Sequence, residues 1–284
     1  MDKINKKIFW IASYPKSGNT WMRAIISSLF FTKDGIFDFK HLKSIRNFDR
    51  PENYKFVESI DTKDYEDLKN LKVISRYWTE AQKNASIIDG DFAFFKTHNA
   101  NIEVDNYKYT NEENTMGLIY LVRDPRDVAV SYAKHKGINI DEIIEIITNE
   151  KTITFSGDSY PVLLTTWDHH YFSWSSLSVP KMIIKFEDLV QNTEEIIIKI
   201  INFFIDNFNC RFNNINTKLQ NILKTTSFEN LKNNEKKYGF SESRKNTLFF
   251  RKGEIKQWEK ELDYLQIKKI DRSFNKAMKK LNYL

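Results

Sequence analysis

The chain has 284 residues and a mass of 33.8 kDa, with 41% hydrophobic and 14% aromatic residues, which suffices for a sizeable core and excludes a disordered protein. Lys and Arg number 44 against 38 Asp and Glu, and the resulting net charge of +6 is spread along the whole sequence. This mild positive charge suits an anionic small ligand and does not indicate a nucleic-acid partner.

Cys210 is the single cysteine, which excludes an intramolecular disulfide and a cysteine-based metal site. The polar residues 1–7 run directly into a strand-like segment and carry no signal-peptide pattern. The most apolar later stretch, residues 196–208, contains Lys199 and Asp206 and is shorter than the roughly 20 residues that span a bilayer. We therefore expect a cytoplasmic protein with no membrane partner.

Strand-like and helix-like patterns alternate along the chain. Residues 8–12 form a continuous apolar run typical of a buried parallel strand, and a turn signal follows at residues 13–15. After Gly18 the apolar residues follow a helical period. Further strands are predicted at 92–95, 118–122 and 182–186, and further helices at about 126–136, 194–208 and 258–281. The alternation predicts an α/β fold, with a central parallel sheet flanked by helices, in one domain over residues 1–284.

Two polar stretches between the predicted core elements are candidates for the loops of an acceptor pocket. They cover about residues 33–90 and 134–165, and the first contains several aromatic residues, among them Phe37 and Trp78. Loops between core strands often line a pocket, although ordinary surface excursions explain the first stretch equally well. The aromatic residues favour an acceptor with an apolar face.

Residues 13–20, Ser-Tyr-Pro-Lys-Ser-Gly-Asn-Thr, connect the first predicted strand to a helix N-terminus. Free backbone N–H groups and the positive end of the helix dipole suit a phosphate there. Against the P-loop pattern G-x-x-x-x-G-K-[ST], the segment keeps Gly18 and Thr20 but has Ser13 in place of the first glycine and Asn19 in the lysine position. Lys16 supplies a cation from an earlier point. The segment predicts a P-loop-containing nucleotide-binding fold, with a plain turn and a solvated Lys16 as the alternative.

Arg123 follows the predicted strand 118–122, at the edge where open α/β sheets bind ligands, and Ser131 lies eight residues further on. A guanidinium with a hydroxyl beside it suits a phosphate monoester. The alternative is that Arg123 and Arg126 are helix-start surface charges balanced by the two aspartates beside them. A third cationic segment, Arg251-Lys252-Gly253, combines two charges with a glycine that lets backbone N–H groups approach an anion, although such a loop alone is usually solvated.

Together these segments resemble the motifs of the cytosolic-type sulfotransferase family, whose donor is 3′-phosphoadenosine 5′-phosphosulfate (PAPS). Residues 13–21 resemble its 5′-phosphosulfate loop, residues 120–132 its 3′-phosphate motif and residues 250–253 its C-terminal Arg-Lys-Gly loop. The three occur in the family's order, and the resemblance covers about residues 8–260. It implies a transferase that moves a sulfonate group from PAPS to a hydroxyl or amine of a small-molecule acceptor and releases 3′-phosphoadenosine 5′-phosphate (PAP).

The resemblance also implies individual contacts to the donor. Trp21 corresponds to the residue that packs on the adenine, and Thr226-Ser227-Phe228 resembles the segment that holds the base; without the motifs, Trp21 and Phe228 would be interpreted as core aromatics. The family usually has a tyrosine where this chain has Phe186, so a hydroxyl contact is lost. The residues expected to bind the donor are Lys16, Ser17, Gly18, Asn19, Thr20, Trp21, Arg123, Ser131, Phe186, Thr226, Phe228, Arg251, Lys252 and Gly253.

Lys96-Thr97-His98 follows the predicted strand 92–95 and resembles the family's catalytic segment, at the same predicted sheet edge as Lys16. Imidazoles titrate near neutral pH, so His98 is the predicted general base for the acceptor hydroxyl. Lys16 is the predicted acid or electrostatic partner of the bridging oxygen, and Lys96 stabilises charge on the sulfonate. Lysines and helix N–H groups take the part of Mg²⁺, so no metal is expected. The other histidines lack such a setting: His41, His135, His169 and His170.

The chain departs from the family pattern at two places, and two alternative functions remain open. Lys256-Gln257-Trp258 stands where the family usually has Gly-Asp-Trp, and residues 259–270 do not match the family's dimerisation motif, which favours a monomer or a dimer built in another way. A P-loop small-molecule kinase is opposed by Asn19. A non-catalytic 3′-phosphonucleotide-binding protein is opposed by Lys16 and His98, since a binder needs no base.

Overall fold

The computed structural model describes residues 7–55, 57–65, 67–85, 92–155, 157–240, 242–243, 248–250 and 253–284. The chain divides into two compact units. The first unit comprises Met1–Ser17, Asn47–Ile184 and Gln257–Leu284. The second unit comprises Gly18–Arg46 and Lys185–Lys256.

Strands and helices alternate, as the sequence predicts. The strands are β1 (Ile8–Ser13), β2 (Arg46–Asn47), β3 (Ala93–Thr97), β4 (Glu103–Val104), β5 (Tyr107–Lys108), β6 (Thr115–Val122), β7 (Ile153–Thr154), β8 (Val162–Leu163) and β9 (Lys181–Lys185). The α-helices are α1 (Asn19–Phe31), α2 (Thr62–Tyr65), α3 (Leu71–Ile74), α4 (Trp78–Asn84), α5 (Pro125–Lys136), α6 (Ile140–Thr148), α7 (Trp167–Ser175), α8 (Phe186–Gln191), α9 (Thr193–Phe208), α10 (Ile215–Thr225), α11 (Phe228–Tyr238), α12 (Trp258–Glu261), α13 (Tyr264–Ser273) and α14 (Asn275–Lys280). Short 3₁₀ helices occupy Phe39–Ser44, Pro51–Asn53 and Ser75–Tyr77.

A five-stranded sheet with the order β2-β3-β1-β6-β9 has β1 at its centre. The strands β3 and β6 both run parallel to β1, so that Trp10 pairs with Phe95 on one side and with Leu118 on the other. Every residue of β1 is buried, and so is all of β6 except Met116. Continuous apolar runs are what a parallel sheet covered on both faces requires, and the predicted α/β fold is confirmed.

The core of the first unit is built around Trp10, which is completely buried. Its ring makes edge contacts with Phe48 at 5.2 Å and with Trp174 at 5.8 Å, and its Nε1–H donates to Thr115 Oγ1 at 3.2 Å. Aromatic pairs at these separations add to the area term of burial, and the indole N–H finds a partner. The sheet edge that carries the candidate site is therefore supported by a rigid aromatic core.

Two predicted elements end at different residues in the structure. The last predicted strand was expected to include Phe186, but β9 ends at Lys185 and Phe186 begins α8. The predicted helix 258–281 is wrong as a single element, because it is divided into α12, α13 and α14. Asp263 accepts from the Gln266 backbone N–H while the Gln266 side chain accepts from the Asp263 N–H, and this capping box starts α13 anew.

The second unit contains the helices α1, α8, α9, α10 and α11, and apolar side chains pack α1 against α9 and the segment before α10. Phe30 contacts Phe204 at 4.7 Å and Phe212 at 5.3 Å between ring centroids. Lys218 donates from Nζ to the carbonyl oxygens of Leu29 and Thr32, and so satisfies the free carbonyls at the end of α1. Burial lowers the pKa of Lys218. No helix in the described ranges is long and apolar enough to cross a membrane.

Candidate active site

The segment between β1 and α1 has the backbone of an anion-binding loop. Gly18 has φ of 97° and stands at the N-cap of α1, where it has no side chain to cap the free N–H groups of the helix. Ser17 Oγ is buried and has no hydrogen-bond partner within the described part of the chain. Lys16 also lies in the left-handed region, with φ of 69°. A non-glycine residue held there is backbone strain of the kind that collects at functional sites.

Arg123 joins the sheet edge to this loop. Its Nη1 donates to the carbonyl oxygen of Lys16 at 3.2 Å, and its Nη2 lies 3.7 Å from the carboxylate of Asp127. Asp127 in turn accepts from the backbone N–H of Trp258 at 3.1 Å. Arg123 is therefore buried rather than a solvated helix-start charge. Ser131, the hydroxyl predicted to act with it, lies half-buried on α5.

Arg126, in contrast, is a structural residue. Its guanidinium forms a bidentate pair with Asp124, at 2.9 Å and 2.7 Å, and stacks 3.9 Å from the ring of Trp258. Its Nη2 also donates to the carbonyl oxygen of Tyr283. The sequence left open whether this arginine and Arg123 were balanced by neighbouring aspartates. The structure shows such a pairing for both, and only Arg123 is bonded to the phosphate loop.

His98 follows the last residue of β3 and contacts Ser13 at the end of β1. Its Nδ1 lies 2.8 Å from the Ser13 carbonyl oxygen and 3.3 Å from Ser13 Oγ. A carbonyl oxygen can only accept, so Nδ1 carries the hydrogen and Nε2 carries the lone pair of the neutral ring. The structure thus assigns Nε2 as the nitrogen that can take a proton. Lys96, two residues earlier, is half-buried at the same end of β3.

Both neighbours of His98 are fixed by the buried carboxylate of Asp49. Thr97 Oγ1 donates to Asp49 Oδ2 at 3.0 Å, and Asn99 Nδ2 donates to Asp49 Oδ1 at 3.1 Å. Tyr109 adds a third donor to this carboxylate. Burial raises the pKa of Asp49, and these hydrogen bonds oppose the rise. The backbone on either side of His98 therefore has little freedom, which preorganises the imidazole.

A second histidine, His170 on α7, contacts the backbone of His98 and belongs to no motif of the sequence. Its Nε2 is 3.0 Å from the His98 carbonyl oxygen, and its Nδ1 is 2.8 Å from the Tyr120 hydroxyl. Burial lowers the pKa of His170 to about 4, so the ring is neutral at physiological pH. The helical spacing of Trp167, His170 and Trp174 puts this histidine on the apolar face of α7, and that signal predicts its burial.

We expect acid to destabilise the protein through His170. Unfolded histidine has its ordinary pKa of about 6.5, whereas the folded pKa is about 4, so the unfolded state binds more protons between these values. The free energy of unfolding should fall by up to about 3 kcal/mol as the pH drops through this window. Urea unfolding from pH 7 to pH 4 measures it, and His170→Gln should lose this component. An unchanged pH dependence in His170→Gln would contradict the assignment; His169→Gln, on the exposed neighbour, is the control.

In the second unit Trp21 is enclosed by aromatic rings. Phe186 and Phe228 each meet it edge-to-face at 6.1 Å between centroids, and its Nε1–H donates to the Thr226 carbonyl oxygen at 2.8 Å. We call Trp21, Phe186 and Phe228 the aromatic cluster. The hydroxyl of Thr226 is buried and donates within α10, to Ile222. The structure therefore brings together four of the residues that the resemblance relates to the nucleotide.

Two glycines border the aromatic cluster. A Cβ on Gly18 would lie 2.7 Å from the Phe186 ring, and a Cβ on Gly253 would lie 2.6 Å from the Phe228 ring. Both glycines have positive φ, so any other residue would be strained there as well as crowded. The aromatic rings and the two glycine backbones are thus matched in shape. Arg251 and Lys252, which were predicted to bind the donor, lie outside the described residues.

Two glutamates hold the remaining elements of the second unit. Glu235 Oε2 accepts from the Phe250 backbone N–H at 2.8 Å, and this fixes the chain just before the Arg-Lys-Gly loop. Glu242 accepts from the Thr20 hydroxyl at 3.1 Å and from Arg23 Nη1 at 2.6 Å. Asn19, the residue before Thr20, is buried at the start of α1. Within a single sequence neither glutamate carries a motif that predicts these contacts.

Parts of the two stretches that are candidates for acceptor loops meet in the first unit. Tyr54, from the stretch 33–90, contacts Tyr160, from the stretch 134–165, edge-to-face at 5.0 Å. The backbone N–H of Tyr160 donates to the carbonyl oxygen of Asp49 at 2.8 Å. The Tyr54 hydroxyl is buried and has no hydrogen-bond partner among the described residues. Through Asp49, these loops connect to the segment that carries His98.

Comparisons with known proteins all lead to one family. The model of the sulfotransferase domain matches residues 6–282. Cytosolic sulfotransferase 13 of Arabidopsis thaliana is 25% identical over 269 residues, which cover 93% of this chain and 74% of that protein. Sulfotransferase 1B1 of Canis lupus familiaris is 26% identical over 275 residues, which cover 94% and 82%.

Solved structures share the fold at lower identity. The crystal structure of mouse sulfotransferase SULT7A1 complexed with PAP has a TM-score of 0.56 at 20% identity and covers 96% of this chain and 84% of that chain. Retinol dehydratase in a complex with retinol and PAP has a TM-score of 0.59 at 21% identity, with coverage of 95% and 81%. These similarities support the same α/β architecture around a parallel sheet.

Proposed function

The chain belongs to the sulfotransferase family, and from this premise we propose that it transfers the sulfonate group of PAPS to a hydroxyl or amine of a small-molecule acceptor. The observation that carries the proposal is the orientation of His98, whose Nδ1–H is held by the Ser13 carbonyl so that Nε2 can act as base. PAP is present in the structures of mouse SULT7A1 and retinol dehydratase, which supports PAP as the nucleotide that this chain releases after transfer.

The residues of the loop after β1 fit the 5′-phosphosulfate end of the donor. Ser17 offers a buried hydroxyl that no described residue uses, and Gly18 leaves the start of α1 open to an anion. Lys16 adds a positive charge beside them. The donor supplies an activated sulfonate when bound, and hydrogen-bond donors with a cation are the groups that hold such an anion.

The side chains of His98, Lys16 and Lys96 have separate roles in the transfer. His98 Nε2 accepts the proton of the acceptor hydroxyl or amine as the nucleophile develops. Lys16 balances the negative charge that grows on the leaving phosphate, and Lys96 balances charge on the sulfonate oxygens. Arg123 holds the loop through the Lys16 carbonyl and presents a guanidinium for the 3′-phosphate. In this scheme Arg123 both positions Lys16 and binds the donor.

The aromatic cluster of the second unit is proposed to contact the adenine. Trp21 is fixed by its hydrogen bond to the Thr226 carbonyl, which gives the ring a defined orientation for contact with a base. Phe186 cannot donate a hydrogen bond to the nucleotide. Its ring instead fits the bare backbone of Gly18. The departure from tyrosine at this position is thus accommodated by packing, while the polar contact is absent.

The acceptor is proposed to be a small molecule with an apolar or aromatic face. The contact of Tyr54 with Tyr160 joins the two proposed acceptor loops, and the Tyr54 hydroxyl offers a polar group for orientation. Retinol and flavonol occur in the names of related proteins, and androsterone is bound in one solved structure of retinol dehydratase; these molecules combine an apolar body with a hydroxyl. A cytosolic location is proposed from the names of the plant relatives.

Calorimetric titration with PAP tests the donor site. Wild type should bind PAP with micromolar or tighter affinity, and Arg123→Ala should lose about 2 kcal/mol or more of binding free energy because a charge-assisted contact is removed. Arg76→Ala, on an exposed arginine paired with Asp64, is the matched control and should bind as wild type. Thermal unfolding of each variant establishes that the protein titrated is folded.

Transfer of labelled sulfonate from PAPS to phenols, alcohols and amines then identifies the acceptor class. PAP binding without transfer to any acceptor would favour the non-catalytic alternative. Absence of PAP binding to the folded wild type, together with Mg²⁺-dependent consumption of ATP, would favour a kinase and overturn the proposal. Binding in Arg123→Ala equal to that in wild type would remove this residue from the donor site and leave the family assignment intact.

A further inference from the structure

A chain of three hydrogen-bonded groups runs from the buried sheet to the backbone of His98. The Tyr120 hydroxyl on β6 contacts His170 Nδ1 at 2.8 Å, and His170 Nε2 contacts the His98 carbonyl oxygen at 3.0 Å. The three residues are far apart in sequence and meet only in the folded first unit. Tyr120 has 1% of its surface exposed, and His170 is completely buried.

The chemistry of the groups fixes the direction of each hydrogen bond. The His98 carbonyl oxygen can only accept, so His170 Nε2 carries the hydrogen. The neutral His170 ring then has its lone pair on Nδ1, and the Tyr120 hydroxyl must be the donor to it. The direction of both hydrogen bonds therefore follows from the His98 carbonyl oxygen.

We propose that His170, oriented by Tyr120, is a positioning residue for the general base, because it holds the peptide carbonyl of His98 and thereby the direction of the His98 imidazole. The inference rests on the proposed role of His98. A buried histidine can also be a plain core residue. The hydrogen bonds of His170 oppose this interpretation. Both of its ring nitrogens have a partner, and one of them bonds His98, the proposed general base.

The orientation of the His98 imidazole depends on the hydrogen bonds of the peptide that follows it. The His98 ring is already fixed at Nδ1 by Ser13, and Asn99 is fixed by Trp174, whose Nε1–H donates to the Asn99 carbonyl oxygen at 2.8 Å. The peptide between His98 and Asn99 is held at its N–H, which donates to Thr97 Oγ1 at 2.9 Å, and at its carbonyl by His170. Loss of the His170 bond would leave this peptide held at one end and allow a small shift of Nε2. Small misplacements of a catalytic group cost rate rather than binding.

Replacement of His170 separates positioning from folding. His170→Leu removes the donor, and we expect kcat for sulfonate transfer to fall about 10- to 100-fold while the Kd for PAP stays within about twofold. His170→Gln keeps an amide N–H for the carbonyl and an oxygen for the tyrosine hydroxyl, so it should retain most of the wild-type kcat. Tyr120→Phe, which removes a single oxygen, should give an intermediate loss and serves if His170→Leu does not fold.

A matched control is Thr110→Val, since Thr110 is also completely buried and its hydroxyl donates to Gln82 at 2.6 Å rather than to the backbone of His98. It should lower thermal stability and leave kcat of the folded protein unchanged. If His170→Leu and Thr110→Val lose stability alike and both keep wild-type kcat, His170 is only a core residue and the proposal fails. If His170→Gln is as slow as His170→Leu, the hydrogen bond is not the cause and the proposal also fails.

A spectroscopic measurement on the wild type does not depend on activity. In a ¹H–¹⁵N spectrum of the histidine side chains, His170 should show a slowly exchanging Nε2–H and an unprotonated Nδ1. The opposite tautomer would overturn the proposal even if the enzyme were active. Failure of the proposed function is distinguishable from failure of this inference. In that case the wild type would neither bind PAP nor transfer sulfonate, and the tautomer signal of His170 would remain.

Discussion

Replacement of His98 by asparagine is expected to lower kcat for sulfonate transfer by about 10³-fold, within the range that general base catalysis contributes. Asparagine is chosen because its amide N–H can replace Nδ1–H as the donor to the Ser13 carbonyl oxygen. The loop therefore keeps its hydrogen bond, and only the lone pair that accepts the acceptor proton is removed. The Kd for PAP should change by less than about twofold, since His98 acts on the acceptor.

Single-turnover transfer from labelled PAPS measures the chemical step without product release. The control is His169→Asn, because His169 is exposed, lies next to His170 in sequence and should leave kcat unchanged. More than a tenth of wild-type kcat in a folded His98→Asn protein would assign the proton transfer to another group. A parallel loss of PAP affinity would instead indicate that His98 supports the donor loop.

The elements that sequence predicts well are those whose signals are local. The buried run of β1, the change to a helical period after Gly18, and the loop between them lie within about two dozen consecutive residues, and each has a direct physical cause. The parallel pairing of β1 with β3 and β6 follows from the crossover connections. For the same reason the loop after β1 and the end of β3 were expected at one sheet edge, and the contact of His98 with Ser13 agrees with this.

The ends of the helices and strands, and the networks of side-chain contacts, were harder to predict from the sequence. The start of α8 at Phe186 depends on a strand that passes directly into a helix, and an apolar residue there is consistent with either element. The start of α13 within residues 258–281 depends on one reciprocal contact between Asp263 and Gln266. Local caps of this kind outweigh periodicity over a single turn.

The supporting residues of the candidate site could not be found from motifs, because their partners are distant in sequence. Asp49 fixes both neighbours of His98 from within the stretch 33–90, for which the sequence leaves acceptor loops and surface excursions as alternatives. His170 reaches His98 from α7, and it differs from His169 only in the helix face on which it lies. The helical spacing with Trp167 and Trp174 predicts burial. It does not predict which carbonyl the ring will meet.

Lys16 provides the second large expected effect. Lys16→Met should lower kcat by about 10²- to 10³-fold, the usual result of removing one electrostatic contact that stabilises charge in the transition state. Methionine has nearly the same length and keeps a Cβ, so the strain of φ 69° is the same in both proteins and the loop backbone should be retained. The carbonyl oxygen that accepts from Arg123 also remains.

Lys16→Arg separates charge from position. Arginine keeps the positive charge but spreads it over a planar group, so it should restore part of the rate and not all of it. Lys72→Met is the control, because Lys72 is an exposed lysine paired with Asp105 and should leave kcat unchanged. Rapid-quench measurement of the transfer step, with PAP affinity measured beside it, distinguishes the two roles of Lys16. Loss of PAP affinity with little change in the transfer step would make Lys16 a binding residue, because interactions equal in the ground and transition states do not raise kcat.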